Sequence, residues 1–474
     1  MYNIIYTFAK RKTKTTKPMT DYEQFLLNKS QLAGNFGFEP SLMPDKMFDF
    51  QKYVTDYVIK KGRSAGFIDT GLGKTIIELA VAKNHVVKSN KPTLILTPLA
   101  VAHQFLKEAE KFGIDDVCHT KDGNYKNKIV LCNYERLNKL NWQDFDCVIC
   151  DESSILKNFD GVIKSQVTSF MRKIKYRYLF TATPSPNDFI ELGTSSEALG
   201  YLGYTDMLTK FFTNNEDTIS PQNIGTKWIL KGHATDNFFK WVSGWSISMR
   251  KPSDLGFDDS RFILPKLTTN YHSVFNSENL VVNGQIQMFN QIARSMPEVQ
   301  DEQRKTIKGR CEKAVELASL HEKSVYWCNL NPEGDLLKKI DKDSYQITGS
   351  MSLEKKEDIL LAFANGEINK LITKAKMTAF GLNWQHCNHT VYFPDFSYEK
   401  YYQAIRRFWR FGQKREVICD MVHSDGQKRV LDSLIAKTEK ADQLFSKLNS
   451  TLHQNFNIDK KEFDKQITLP TFLK

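Results

Sequence analysis

Nowhere in the 474 residues does an apolar run reach the ~18 residues that a membrane-spanning helix needs. The opening, MYNIIYTFAKRKTKTTKPMT, sets a short apolar patch before its charges, the reverse of a secretory signal. Its basic run from Lys10 to Lys17 reads as an N-terminal arm, and Met19 is a candidate start. A cytoplasmic protein is the expectation. Eight cysteines form no disulfide framework. Cys147 and Cys150 lie three apart inside one strand-like run, so they point to opposite faces and read as packing residues in a reducing compartment. His386, Cys387 and His389 have no second ligand pair beside them, which argues against zinc. A repeat of solenoid period is missing too, as is any low-complexity block.

What is present is ample core material and positive charge. The chain is 41% hydrophobic and 12% aromatic, with a formal charge of +11. On a prior of about 150 residues per domain the length implies about three domains. A basic balance suits a polyanionic partner, nucleic acid first. Charge alone leaves a merely soluble basic surface equally open.

From Phe50 to about Gly200, strand-like runs alternate with helical ones: Gly66–Asp69, Thr93–Thr97, Ile129–Cys132, Cys147–Cys150 and Tyr178–Thr181. A second alternating set begins at Ser324 and continues through Tyr345, Lys370, Thr390 and Val417. Such alternation predicts parallel sheets covered by helices. The expected organisation is an arm and lead-in over 1–45, an α/β lobe over 46–200, and an aromatic, largely helical insertion over 201–316. A second α/β lobe over 317–425 and a helical C-terminal extension over 426–474 complete it. The tryptophans of the insertion, Trp228, Trp241 and Trp245, read as core rather than as stacking platforms.

The run Asp69-Thr70-Gly71-Leu72-Gly73-Lys74-Thr75 stands between a strand-like run and a helical one. In that setting backbone N–H groups and a helix N-terminus cradle phosphate, Lys74 meets the β/γ oxygens, and Thr75 holds Mg²⁺. Ile68 stands where the longer form of the loop has glycine. Alone, the loop is also compatible with a tight turn bearing a solvated lysine. A second apolar run ends in Asp151-Glu152-Ser153-Ser154. Asp151 would orient Mg²⁺ and Glu152 would deprotonate an attacking water. The competing reading, an acidic helix cap, weakens downstream of a lysine loop. In the second lobe, QAIRRFWRFGQK carries Arg407 and Arg410 three apart, on one face if the segment is helical. Two guanidinium groups so placed would engage a γ-phosphate from across a cleft, while a basic helix on DNA phosphate is the plainer alternative.

With these residues in hand, the chain resembles superfamily 2 helicases and translocases of the Swi/Snf-like branch. DTGLGKT resembles motif I, Thr97-Pro98-Leu99-Ala100 motif Ia, DESS motif II, and TATPSPN, with Thr181 and Thr183, motif III. Gly381-Leu382-Asn383 resembles motif V and the segment from Gln403 motif VI, while Gln51 matches the upstream glutamine that contacts adenine in relatives. More narrowly, NYERL, DESSILK, TATPSPND and RKPSDLG resemble helicases of bacteriophages and prophages. The resemblance implies two RecA-like lobes using ATP and Mg²⁺ to act on duplex or branched DNA without regard to sequence. It implies ATP contacts at Gln51, Thr70, Gly71, Leu72, Gly73, Lys74 and Thr75, with Mg²⁺ at Thr75 and Asp151. Catalysis falls to Glu152, Arg407 and Arg410. Coupling falls to Thr181, Thr183, Gly381, Asn383 and Gln403, and DNA contacts to Thr97, Pro98, Asn133 and Tyr134. Arg406 replaces an acidic position and Trp409 a histidine. The expected role of Arg406 is secondary, in DNA grip or contacts between lobes.

Overall fold

Runs such as Thr93-Leu-Ile-Leu-Thr, Ile129-Val-Leu-Cys-Asn and Cys147-Val-Ile-Cys show no polar alternation, as expected of strands covered on both faces. In the computed structural model they form the middle of a parallel sheet. The structure describes residues 34–98, 101–158, 160–214, 228–274, 281–282, 285–286, 296–375 and 383–455. The N-terminal arm, Leu99, Ala100, Gly381 and Leu382 lie outside the described residues.

The first lobe contains β1 (Arg63–Ile68), β2 (Thr93–Thr97), β3 (Val117–Thr120), β4 (Ile129–Asn133), β5 (Cys147–Cys150) and β6 (Tyr176–Thr181). A two-stranded hairpin follows, β7 (Phe212–Asn214) with β8 (Trp228–Leu230), and then β9 (Ser246–Met249). The sheet order is β3-β4-β2-β5-β6-β1-β9, parallel throughout. Alternate residues feed separate cores: Phe67, Leu96 and Cys150 on one face, Ile68, Ile95 and Cys147 on the other. The two cysteines therefore do part, as period-2 geometry requires.

The second lobe contains β10 (Leu267–Val274), the short pair β11 (Val281–Val282) and β12 (Gln285–Ile286), β13 (Ser324–Trp327), β14 (Tyr345–Gln346), β15 (Lys370–Thr373), β16 (His389–Tyr392) and β17 (Val417–Ser424). Its sheet runs β10-β17-β16-β13-β15-β14, again parallel. Two RecA-like α/β lobes are the result. Among the described residues no helix is long and apolar enough to cross a membrane.

The expected insertion over 201–316 is divided between the lobes. β9 is an edge strand of the first sheet, and β10 is an edge strand of the second. Phe211, Phe238, Trp241 and Trp245 fill the first lobe's core. The reading failed because Ser246–Met249 is a four-residue edge strand beside a helix carrying Phe238, Phe239 and Trp241, too short to show its own period.

The C-terminal extension is likewise part of the fold. Helix Lys428–Asn455 places Leu431, Leu434 and Ala441 in the second lobe's core and Leu444, Phe445 and Leu448 in the first lobe's. At ~1.5 Å per residue such a helix is long enough to brace both lobes. Leu444→Ala should therefore destabilise the first lobe by about 2–5 kcal/mol in denaturant unfolding. An unchanged unfolding midpoint would mean the helix is a detachable tail.

Candidate active site

Strand ends place the acidic and basic groups. In open parallel sheets the loops beyond the carboxyl ends of strands form the ligand crevice. Asp69 follows β1, Pro98 follows β2, Asp151 follows β5, and Thr181 ends β6. Asp69, Pro98 and Asp151, with residues of the second lobe, line a cleft of about 600 Å³.

The glycine loop is shaped by its neighbours. Gly73 has φ 82°, and a Cβ there would lie 2.3 Å from Gln51 Nε2. Gly71 has φ 86°, and its Cβ would approach the Phe411 backbone N at 3.2 Å. Left-handed backbone and close approach both call for glycine. Helix Lys74–Ser89 starts directly behind the loop. Lys74 Nζ lies 3.4 Å from Glu152 Oε1. Burial alone would lower the Lys74 pKa, but Glu152, Asp151, Glu78 and Asp69 together raise it.

The acidic side holds strain and excess negative charge. Glu152 sits at φ 48°, ψ 51°, a left-handed conformation that costs a non-glycine residue about 1–3 kcal/mol and clusters at functional sites. Burial, and then the charge of Glu152, push the Asp151 carboxyl up to about 7, against the pull of Lys74. Asp151 is fixed by its backbone N–H donating to Leu96 O (2.9 Å) and its carbonyl accepting from Tyr134 Oη (2.6 Å). Glu78, one helical turn after Lys74, is fully buried, and neither carboxylate oxygen meets a donor among the described residues. Burial and the neighbouring Asp151 raise its pKa well above 4.5. Sequence reading missed Glu78, although its i, i+4 spacing from Lys74 put both on one helix face.

Arg407 and Arg410 face this cleft from the second lobe. They do so from a turn, because the helix ends at Ile405. The expected helical face is thus corrected: Trp384 N–H donates to Arg407 O, and the segment folds over the glycine loop. Burial lowers both guanidinium pKa values to about 10; for Arg407 the charge of Glu152 only partly offsets it, and for Arg410 the neighbouring Arg407 and Arg406 add to it. Arg410 also donates to Asn383 Oδ1. Arg406, expected to be secondary, forms a buried ion pair with Asp69 across the cleft, and Tyr402 Oη donates to the same carboxylate. Gln403 lines the cleft, and Thr183 N–H donates to Thr181 Oγ1 at 3.0 Å.

Gln51 is buried and holds the glycine loop: Nε2 donates to Leu72 O (2.9 Å) and Oε1 accepts from Phe48 N–H (3.0 Å). Each of these atoms keeps a second hydrogen-bonding position. Of the residues expected to touch DNA, Thr97, Asn133 and Tyr134 are at most 1% exposed, so their side chains cannot reach a duplex here. Asn133 donates to Pro98 O (3.2 Å), and Tyr134 supports Asp151. Pro98 itself lines the cleft. Gly381 lies outside the described residues.

Comparison with known proteins agrees with this architecture. Two RecA-like lobes meet at the glycine loop. Residues 66–195 match the SNF2-related domain, and residues 311–412 match the helicase conserved C-terminal domain. In that order the two matches support a Swi/Snf-like superfamily 2 helicase. The mouse (Mus musculus) DNA annealing helicase and endonuclease ZRANB3 is 28% identical over 180 residues, 34% of this chain and 17% of that protein. The chromodomain-helicase-DNA-binding protein 1-like of Danio rerio is 29% identical over 145 residues, 26% of this chain and 14% of the relative. The matches thus span less than a fifth of either curated relative. Among solved structures, the Sulfolobus solfataricus SWI2/SNF2 ATPase core in complex with dsDNA aligns with 90% of this chain and 98% of its own, at 19% identity and TM-score 0.42.

The buried Glu78 makes stability depend on pH in a defined direction. Its raised pKa means that the folded chain keeps a proton which the unfolded chain releases above about pH 4.5, so stability falls as pH rises beyond that value. Glu78→Gln should raise the melting temperature at neutral pH, with the gain shrinking to nothing near pH 4.5. A gain equal at all pH values would contradict a buried carboxyl.

Proposed function

We propose that the chain is an ATP-driven helicase or translocase that moves along or remodels duplex or branched DNA. The observation that carries this reading is the Lys74–Glu152 pair on one wall of the cleft, faced by Arg407 and Arg410 on the other. Buried cations whose pKa values have fallen to about 10 are arranged for an anionic ligand. Asp151 and Glu152 beside the Lys74 ammonium leave room for a divalent cation that accompanies the nucleotide. Thr75 and Asp151 would hold Mg²⁺, which neutralises charge on the β- and γ-phosphate oxygens when bound.

Chemistry follows from the geometry. Phosphate oxygens of ATP compete for the Lys74 ammonium and for the N-terminus of helix Lys74–Ser89. Losing its lysine partner frees Glu152 to orient a water and accept its proton. Arg407 and Arg410 then stabilise the charge that grows on the transferring group. Because they belong to the other lobe, turnover and lobe closure become one event. Thr181 and Thr183, with Asn383 and Gln403, connect that event to DNA held across the lobes. Grip through backbone phosphate gives no sequence preference. The resemblance of NYERL, DESSILK, TATPSPND and RKPSDLG to bacteriophage and prophage helicases is the ground for reading the protein as phage-encoded, serving DNA replication, recombination or repair in a bacterial cytoplasm.

The deciding experiment is ATP turnover with single-stranded, duplex, forked and four-way DNA and with RNA, beside triplex displacement for movement. DNA-stimulated turnover with displacement is expected. Stimulation by RNA alone, or hydrolysis without displacement, would contradict a DNA motor. Glu152→Gln should bind ATP yet hydrolyse it very slowly. Arg407→Ala and Arg410→Ala should spare nucleotide binding and lose on the order of 10³–10⁵ in turnover. Near-normal turnover in Lys74→Ala would remove the phosphate-loop assignment. DNA affinity should fall steeply with salt, as released counterions require.

A further inference from the structure

The acidic loop and the arginine turn are joined by a side chain that neither motif contains. Glu399 stands in the first turn of helix Tyr398–Ile405, which leads straight into Arg406, Arg407 and Arg410. Its Oε1 accepts from Ser154 Oγ at 2.7 Å, and its Oε2 is ion-paired to Lys157 Nζ. Ser154 and Lys157 belong to the turn Ser153–Lys157 that begins directly after strained Glu152. The far end of the same short helix is held by Tyr402 and Arg406 on Asp69, the residue that opens the glycine loop. A rigid element of eight residues is therefore pinned at one end to the loop carrying Glu152 and at the other to the loop carrying Lys74.

We propose that Glu399 is a positioning residue for ATP hydrolysis, setting where Arg407 and Arg410 stand relative to Glu152. Lys157 and Glu399 keep only 23% and 15% of their side-chain surface, so their attraction is less screened than that of a surface pair. Both oxygens of Glu399 are engaged by the one turn, which fixes direction as well as distance. A displacement near 1 Å at a reacting centre costs on the order of 10²-fold in rate. Releasing the helix from the acidic turn leaves it held only at the Asp69 end.

This inference rests on the ATPase reading above. Its test compares Glu399→Ala, Lys157→Glu, Glu399→Lys and the exchanged pair K157E/E399K with wild type. Each is measured for affinity for a fluorescent ATP analogue, melting temperature, and kcat at saturating DNA. Glu399→Ala should lose about 10²-fold in kcat while nucleotide affinity and melting temperature stay at wild-type values. The exchanged pair should regain most of what either charge reversal loses. Wild-type kcat in Glu399→Ala would overturn the inference. So would a loss of kcat matched by loss of nucleotide affinity and melting temperature, or an exchanged pair no better than the single variants. A wild-type protein without DNA-stimulated turnover would overturn the ATPase reading instead, and the two failures are thereby told apart.

Discussion

The ion pair between Asp69 and Arg406 is the contact on which the cleft depends. Asp69 is 3% exposed and Arg406 8%, and Tyr402 donates to the same carboxylate. Such a pair adds little net stability, because desolvation offsets much of the attraction. Breaking it on one side is another matter: an orphaned buried charge costs about 3–5 kcal/mol. Geometrically the pair sets register. It joins the residue that opens the glycine loop to the first residue of the arginine turn, and so brings Arg407 and Arg410 opposite Lys74. Phe411 completes the approach, lying against Gly71 and stacking on Phe262 at 4.7 Å.

Around this contact the molecule balances closure with a fixed brace. Helix Lys428–Asn455 is seated in both cores, and Lys437 donates to Asn187 Oδ1 of the first lobe and to Phe396 O of the second. Arg250 pairs with Asp442 of that helix and lays its guanidinium 4.4 Å from the Phe445 ring centre. The apolar seats of the brace are expensive to leave, whereas the polar contacts in the cleft exchange readily with water and phosphate. Opening is therefore expected at the cleft, with the brace as the side that stays joined.

Much of this was legible in the residues. Glycines, lysine and the acidic pair announce themselves by local chemistry, and unbroken apolar runs announce parallel strands. Three kinds of feature escaped. Short edge strands such as Ser246–Met249 carry too few residues for a period to show. Arg407 and Arg410 were placed on a helix by spacing, but the helix stops at Ile405 because the following residues are drawn onto the glycine loop by tertiary contacts. Burial was the third. Gln51, Asn133 and Tyr134 stand at motif positions, yet whether a polar side chain at such a position faces a ligand or supports a neighbour depends on packing from distant strands. Partnerships such as Asp69–Arg406 and Ser154–Glu399 join residues more than 240 apart in the chain. No local pattern encodes them.

Lobe closure is the step through which every proposed catalytic group acts, so the distance between lobes is the quantity to measure. One fluorophore on exposed Lys88 and one on exposed Lys339 would report it by single-molecule energy transfer, in wild type and in Asp69→Asn. With ATP analogue and DNA, wild type should occupy a single close state, and Asp69→Asn should shift toward an open one while still binding nucleotide. An interlobe distance indifferent to nucleotide, or identical in the two proteins, would contradict a site completed by closure across the Asp69–Arg406 contact.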